Sequence, residues 1–285
     1  MLAIPGQRRK APTYPHPRAT RWHLAAERAT SLLLRYTWEM ELSIDAGPRC
    51  NICGSEKGFR HSTAYHPRES YVCASCGSTS RDRMLVFALG LCLGFSGPLA
   101  AWKPDPSIAL LETSGYRGHP RFLRTAFRYL NLIYEGVAEE CLLADVASLP
   151  LQDESIDIIL SSDVFEHVRD DASGFSEIAR VLKPGGYFIL QVPGVGELEQ
   201  TRVLVEARGD EDIFLTPPEY HAEHTLVYRY YGNDIVDRLG ALGLSILLFR
   251  GRVPASCITE QSVIVGQKAP YLSLGPRERC DRAWS

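Results

Sequence analysis

From Ile108 onward, short apolar runs alternate with stretches in which apolar residues recur at helical spacing. The runs predict strands at 108–112, 129–134, 141–144, 156–161, 186–192, 244–249 and 262–267. The periodic stretches predict helices near 120–127, 172–182 and 233–241, with Asp170 or Asp171 capping the second and "KPGG" (residues 183–186) stopping it. Alternation of this kind is the signature of an α/β sheet covered on both faces. The third and fourth strands are separated by only a short loop, so the doubly wound pattern is abbreviated there.

Ahead of the sheet, Trp22, Ala25, Ala29, Leu32, Leu33, Tyr36 and Met40 share one helical face. They predict an amphipathic leading helix with Thr20 as its cap and Gly47-Pro48 as its break, behind a Pro-rich, basic and poorly ordered lead-in over 1–19. The stretch from Met84 to Trp102 has no charged residue over 19 positions, the length of a membrane span. Gly90, Gly94, Gly97 and Pro98 interrupt it, and the expectation is a buried helix over 82–93 followed by a loop. No apolar signal region is visible in the first 26 residues, which hold five basic and no acidic side chains. The expected organisation is 1–47 leading segment, 48–84 cysteine module, 85–270 α/β domain and 271–285 tail.

The 285 residues are 45% hydrophobic, enough for one good-sized core and an appendage. A formal net charge of −3 hides an uneven distribution, because residues 1–84 are net basic and the remainder is acidic. An anionic partner is therefore permitted without being required. Among the 8 cysteines, "CNIC" (Cys50, Cys53) and "CASC" (Cys73, Cys76) form C-x2-C-x19-C-x2-C, while Cys92, Cys141, Cys257 and Cys280 are scattered. This spacing predicts a closed four-cysteine site for structural Zn2+ in a reducing cytoplasm rather than a secreted disulfide scaffold. Two redox C-x-x-C pairs are the competing reading, but neither has the strand-then-helix context. Three basic and two acidic residues lie between the pairs, so no basic footprint for RNA is concentrated there. Arg81 and Arg83 lie just beyond and could face a phosphate.

In an open α/β sheet, ligands bind outside the carboxyl ends of the strands. Glu112 ends the first predicted strand, Glu135 follows the second, Asp145 the third, and Ser162 and Asp163 the fourth. An acid about 20 residues beyond the first loop suits a ribose diol, and Glu135 stands there. Asp145 could accept from an exocyclic adenine amine.

Residues 153–170, "DESIDIILSSDVFEHVRD", and 177–186, "EIARVLKPGG", carry a resemblance to the class I S-adenosylmethionine-dependent methyltransferases, of the small-molecule type, over 108–268. The resemblance implies a doubly wound, Rossmann-like seven-stranded sheet whose last strand is antiparallel, here preceded by a small zinc-ribbon module. It also implies S-adenosylmethionine as cofactor. Glu112, Ser114, Gly115 and Gly118 would lie near the methionine moiety, Glu135 at the ribose, Asp145 and Val146 at the adenine, and Ser162 and Asp163 beside the methyl donor. The family loop usually reads acid-x-Gly-x-Gly-x-Gly, whereas Ser114 and Tyr116 replace its first two glycines here.

Methyl transfer is an in-line displacement in which alignment dominates, but a hydroxyl acceptor also needs a base. His167 is the first candidate. Tyr220 and His221, then His224, follow from a long connection over 194–231 that should cover the acceptor. A small, hydroxyl-bearing acceptor is the leading expectation. An rRNA-type acceptor recognised by the zinc module, and a non-catalytic zinc-ribbon adaptor with a degenerate methyltransferase fold, are the alternatives.

Overall fold

The computed structural model describes residues 48–61, 67–115, 118–134, 141–221 and 224–269. The leading helix, Tyr116, Glu135 and the C-terminal tail therefore lie outside the described residues. Strands β1 (Phe59–His61) and β2 (Tyr71–Cys73) form a small antiparallel ribbon between the two cysteine pairs. Helix α1 (Ser80–Leu93) follows, opened by a reciprocal capping box between Thr79 and Asp82 and closed at Gly94, whose φ is 67°. The apolar run from Met84 is thus the latter part of this 14-residue helix followed by a loop, and no helix among the described residues is long and apolar enough to cross a membrane.

Strand β3 (Asp105–Thr113) leads into α2 (Pro120–Ala126), then β4 (Phe127–Ile133), β5 (Cys141–Leu143) and β6 (Ile156–Ser162). Helix α3 (Asp171–Val181) is capped by Asp170, which accepts from the Ser173 amide at 3.0 Å, and β7 (Leu182–Gln191) runs straight on from it. The glycines of "KPGG" are therefore not the helix stop. Leu182 is already extended, and Gly185, with φ of 80°, falls inside the strand. Lys183 precedes Pro184, a position that disfavours the α conformation, so the helix ends before it.

Six short strands then form three ribbons: β8 (Arg202–Val203) with β13 (Arg229–Tyr230), β9 (Val205–Arg208) with β10 (Glu211–Phe214), and β11 (Tyr220–His221) with β12 (Thr225–Leu226). Helix α4 (Ile235–Gly240) and the hairpin β14 (Leu244–Val253) and β15 (Ile258–Lys268) complete the domain. The main sheet has the order β14-β15-β7-β6-β3-β4-β5. All its neighbours are parallel except those of β15, which is antiparallel to both β14 and β7.

Side chains along β3 alternate between two buried cores. Leu110 joins the core that holds α1, α2 and three of the paired cysteines, whereas Ala109 and Leu111 join the one built with α3 and α4. The cysteine module thus shares a core with one face of the sheet: Cys50, Ile52, Cys73 and Cys76 cluster with Leu110, Ile158, Ile189 and Val263.

Candidate functional site

The carboxyl ends of β3, β5, β6 and β7 open into one cleft of about 2260 Å3, with the ribbon insertion along its far side. Pockets for one drug-sized ligand measure roughly 300–1000 Å3, so this cleft has room for a cofactor and an acceptor together. Ser114, Asp145, Val146, Ser162, Asp163, His167, Tyr220, His221 and His224 all line it. Two non-glycine residues directly beyond strand ends, Ser114 (φ 60°) and Asp163 (φ 50°), hold left-handed backbone there. Such strain persists only where the surroundings enforce it and clusters at functional sites. At Ser114 this is the conformation that glycine, the family's usual residue there, adopts at no steric cost.

Ser114 is fixed by its amide donating to the Leu132 carbonyl at 2.7 Å, and Gly115 by Asn131, which accepts from its amide at 2.9 Å and donates to its carbonyl at 2.7 Å. Asp145 accepts from the Ala147 amide at 2.8 Å, and Val146 is buried behind it. The Ser162 hydroxyl is buried in the cleft wall without a hydrogen-bond partner, a polar atom that a ligand would satisfy.

Glu112 departs from the sequence expectation. Its side chain lies on the Leu110 face of β3, not in the cleft, and accepts from His119 Nε2 and the Tyr129 hydroxyl, each at 2.5 Å. Burial opposes charge on His119, but the Glu112 carboxylate overrides it and holds the imidazole above its usual pKa. Burial and the same carboxylate push the Tyr129 phenol up. Gly115 and Gly118 do not line the cleft either. A Cβ at Gly118 would stand 1.9 Å from the Cys76 carbonyl oxygen, so this loop lies directly against the second cysteine knuckle.

At the opposite end of the cleft, the short turn Phe165–His167 after β6 brings Glu166 and His167 to the β11–β12 ribbon. His167 Nδ1 donates to the Leu226 carbonyl at 2.8 Å, which fixes the tautomer and leaves Nε2 with its lone pair. That Nε2 lies 3.2 Å from His221 Nδ1 and 3.7 Å from Glu166 Oε1. Glu166 is 0% exposed and neither carboxylate oxygen has a hydrogen-bond partner. Burial pushes its carboxyl up to about 7, against nearby Arg68 and Arg81, and lowers the His167 pKa. Tyr220 is half exposed on the same ribbon.

The cysteine module contributes to the cleft through Arg68 and Arg81. Both guanidiniums pair with Asp163, Arg68 Nη2 at 3.0 Å from Oδ1 and Arg81 at Oδ2, and Arg81 also pairs with Glu69 at 2.8 Å. Arg83 is fully buried and donates to the carbonyls of Ser78, Tyr71, Ser256 and Cys257 at 2.6–2.9 Å. Arg83 is therefore spent on internal acceptors, whereas Arg81 borders the cleft but is engaged by Asp163 and Glu69. The four cysteine sulfurs lie within 4.8 Å of one another, with Cys50–Cys76 and Cys53–Cys73 at 3.7 Å. Tetrahedral bonds of about 2.3 Å to one ion place sulfurs roughly 3.8 Å apart, so this donor set could hold a metal.

Sequence reasoning missed Glu166, Asn131 and the Arg68–Asp163 clamp. Glu166 had one signal, its place beside His167 in "EHV"; the others had none, because each acts across a fold contact.

A seven-stranded sheet in this order, with one antiparallel strand and its cleft at the carboxyl edge, is the Rossmann-like fold of a methyltransferase domain. Residues 119–190 match the methyltransferase domain family. Among curated relatives, a protein of Mycolicibacterium smegmatis named "Probable S-adenosylmethionine-dependent methyltransferase" is 45% identical over 130 residues, 45% of this chain and 48% of its own length. The malonyl-[acyl-carrier protein] O-methyltransferase of Yersinia pestis is 34% identical over 66 residues, 23% of this chain and 25% of its own. The chain thus spans about half, or less, of the length of these relatives. Among solved structures, Burkholderia thailandensis 1,6-didemethyltoxoflavin-N1-methyltransferase with bound 1,6-didemethyltoxoflavin and S-adenosylhomocysteine is 15% identical, with a TM-score of 0.45 over 66% of this chain and 77% of that one.

Proposed function

We propose that this chain is an S-adenosylmethionine-dependent methyltransferase acting on a small, hydroxyl-bearing acceptor, and that its four paired cysteines hold a structural Zn2+. The observation that carries the reading is the line of Ser114, Asp145 with Val146, and Ser162 on successive strand ends of one cleft, facing the His167 corner. The orphaned Ser162 hydroxyl and the buried Val146 wall fit a cofactor with a polar sulfonium end and an adenine ring. Glu135, outside the described residues, is the proposed ribose ligand. The ribbon insertion walls the far side of the cleft, which favours a small acceptor over an RNA strand.

S-adenosylmethionine, when bound, supplies a methyl group on a good leaving group. The chain's own contribution is placement and proton handling. His167, held neutral by burial and in the Nδ1–H tautomer by Leu226, offers Nε2 to the acceptor's hydroxyl proton. Asp163, pinned by two arginines, keeps the β6 end rigid. At the cysteine site, four thiolates around a divalent ion leave two excess negative charges, and buried Arg83, close enough to feel Cys50 and Cys73, opposes them. Four cysteines paired for metal binding rather than for disulfides suit a reducing compartment such as the cytoplasm, which is the proposed location.

Calorimetry with S-adenosylmethionine tests the reading. Micromolar binding by the intact chain that Glu135→Ala and Asp145→Ala weaken is expected. No binding by the zinc-loaded wild type would overturn it and leave the adaptor alternative. Salt-sensitive retention on heparin or tRNA would instead support an RNA acceptor.

A further inference from the structure

We propose that Glu166, His167 and His221 form a second metal site, which binds a divalent transition-metal cation at the acceptor end of the cleft. The three candidate ligand atoms converge within 4.8 Å, with His167 Nε2 3.2 Å from His221 Nδ1 and 3.7 Å from Glu166 Oε1. Ligands about 2.0–2.2 Å from a common ion stand roughly 3–3.6 Å apart when adjacent, so the spacing needs only small side-chain adjustments. Two imidazoles and one carboxylate are the donor set that borderline cations of the first transition row prefer, and three protein ligands leave positions open.

Two observations independent of the clustering point to a ligand. Glu166 is completely buried, borders the cleft and has both oxygens without a hydrogen-bond partner, an arrangement costly to maintain unless something satisfies it. His167 is also oriented as a metal ligand is, its Nδ1–H donating to a backbone carbonyl so that Nε2 presents its lone pair. With an ion in place, the His221 tautomer that donates toward His167 gives way to the one with a free Nδ1 lone pair. The nearby arginines do not forbid a cation. Arg68 and Arg81 are paired with Asp163, and Arg81 with Glu69 as well, so both guanidiniums have carboxylate partners other than Glu166.

This deepens the acceptor side of the proposed reaction and rests on it for the use of the open positions. Glu166, His167 and His221 all line the cleft where an acceptor hydroxyl would enter, and a hydroxyl coordinated there would release its proton to water more readily than a free one. His167 Nε2 is then a ligand rather than the base.

The test is titration of zinc-loaded, full-length protein with Co2+, read by visible absorption. Thiolate coordination gives an intense sulfur-to-cobalt charge-transfer band that imidazole and carboxylate ligands do not, so the two sites are separable. One equivalent of Co2+ with d–d bands and no thiolate band is expected. Glu166→Gln, His167→Ala and His221→Ala should each weaken it at least tenfold while zinc at the cysteines and the melting temperature are retained. Should a variant fail to fold, zinc at the cysteines will be lost with it, and the remaining variants decide. No Co2+ absorption by the wild type, or equal binding by all three variants, overturns the site. Calorimetry with S-adenosylmethionine on the same samples separates this outcome from failure of the methyltransferase reading, since cofactor binding does not use these residues.

Discussion

Replacing Gly118 by alanine drives a methyl group into the backbone of the second cysteine knuckle. The added Cβ would stand 1.9 Å from the Cys76 carbonyl oxygen and 3.1 Å from its carbon, where ordinary contact begins at 3.4 Å. The obstacle is backbone rather than a swinging side chain, so loop and knuckle must part by roughly 1.5 Å, more than a close-packed junction usually absorbs. The cost should fall near the upper end of overpacking, about 3 kcal/mol. For a domain of this size, that lowers the melting temperature by roughly 6–12 °C. Because the same loop carries Ser114 and Gly115, S-adenosylmethionine affinity should also fall, by about tenfold if it loses about 1.4 kcal/mol. Thermal unfolding, cofactor calorimetry and zinc release to a chromogenic chelator measure the three effects. Gly240→Ala is the control: nothing lies within 4 Å of its Cβ, and helix propensity predicts at most about 1 kcal/mol of stabilisation. A Gly118→Ala protein that melts with the wild type and keeps its zinc and cofactor affinity would refute the close approach.

Arg83→Met should cost about 3–5 kcal/mol by stranding buried carbonyls, and Arg83→Lys should recover little, because an ammonium cannot reach four acceptors in a fork; chemical denaturation decides, and full rescue by lysine would contradict the geometry. Cys53→Ser should remove one equivalent of zinc, measured by elemental analysis. It should also lower the melting temperature of the whole domain, because the knuckles share a core with the sheet. Asp163→Ala should weaken cofactor binding and destabilise the fold by about 3 kcal/mol, since it removes the carboxylate shared by two largely buried guanidiniums. The His119–Glu112 pair predicts a pH dependence. With the folded pKa of His119 raised above 6.5, its stabilisation is complete below that value and is lost as pH rises through the folded pKa. His119→Gln should flatten that part of the melting-temperature profile; an unchanged slope would assign it to another group.

The middle of the sheet was legible because β3, β6 and β7 carry apolar runs buried on both faces, and helix α3 because Asp170 and the apolar period mark its start and face. The cysteine quartet was legible for a similar reason: a three-residue step fixes two sulfurs near each other whatever the rest of the chain does. Strand-end positions such as Ser114, Asp145 and Ser162 could be placed on one edge from register alone. Which way an end residue turns was not local. Glu112 follows the two-residue alternation of β3 onto the covered face and serves His119 and Tyr129, where the motif suggested a ligand. The corner of Glu166, His167 and His221 joins residues 54 apart through a two-residue ribbon, and Arg68 and Arg81 reach Asp163 from a module more than 80 positions away. Periodicity and spacing report what a segment does with its neighbours in sequence. The side-chain partnerships that shape the cleft depend on how separate segments pack, and only the assembled core decides them.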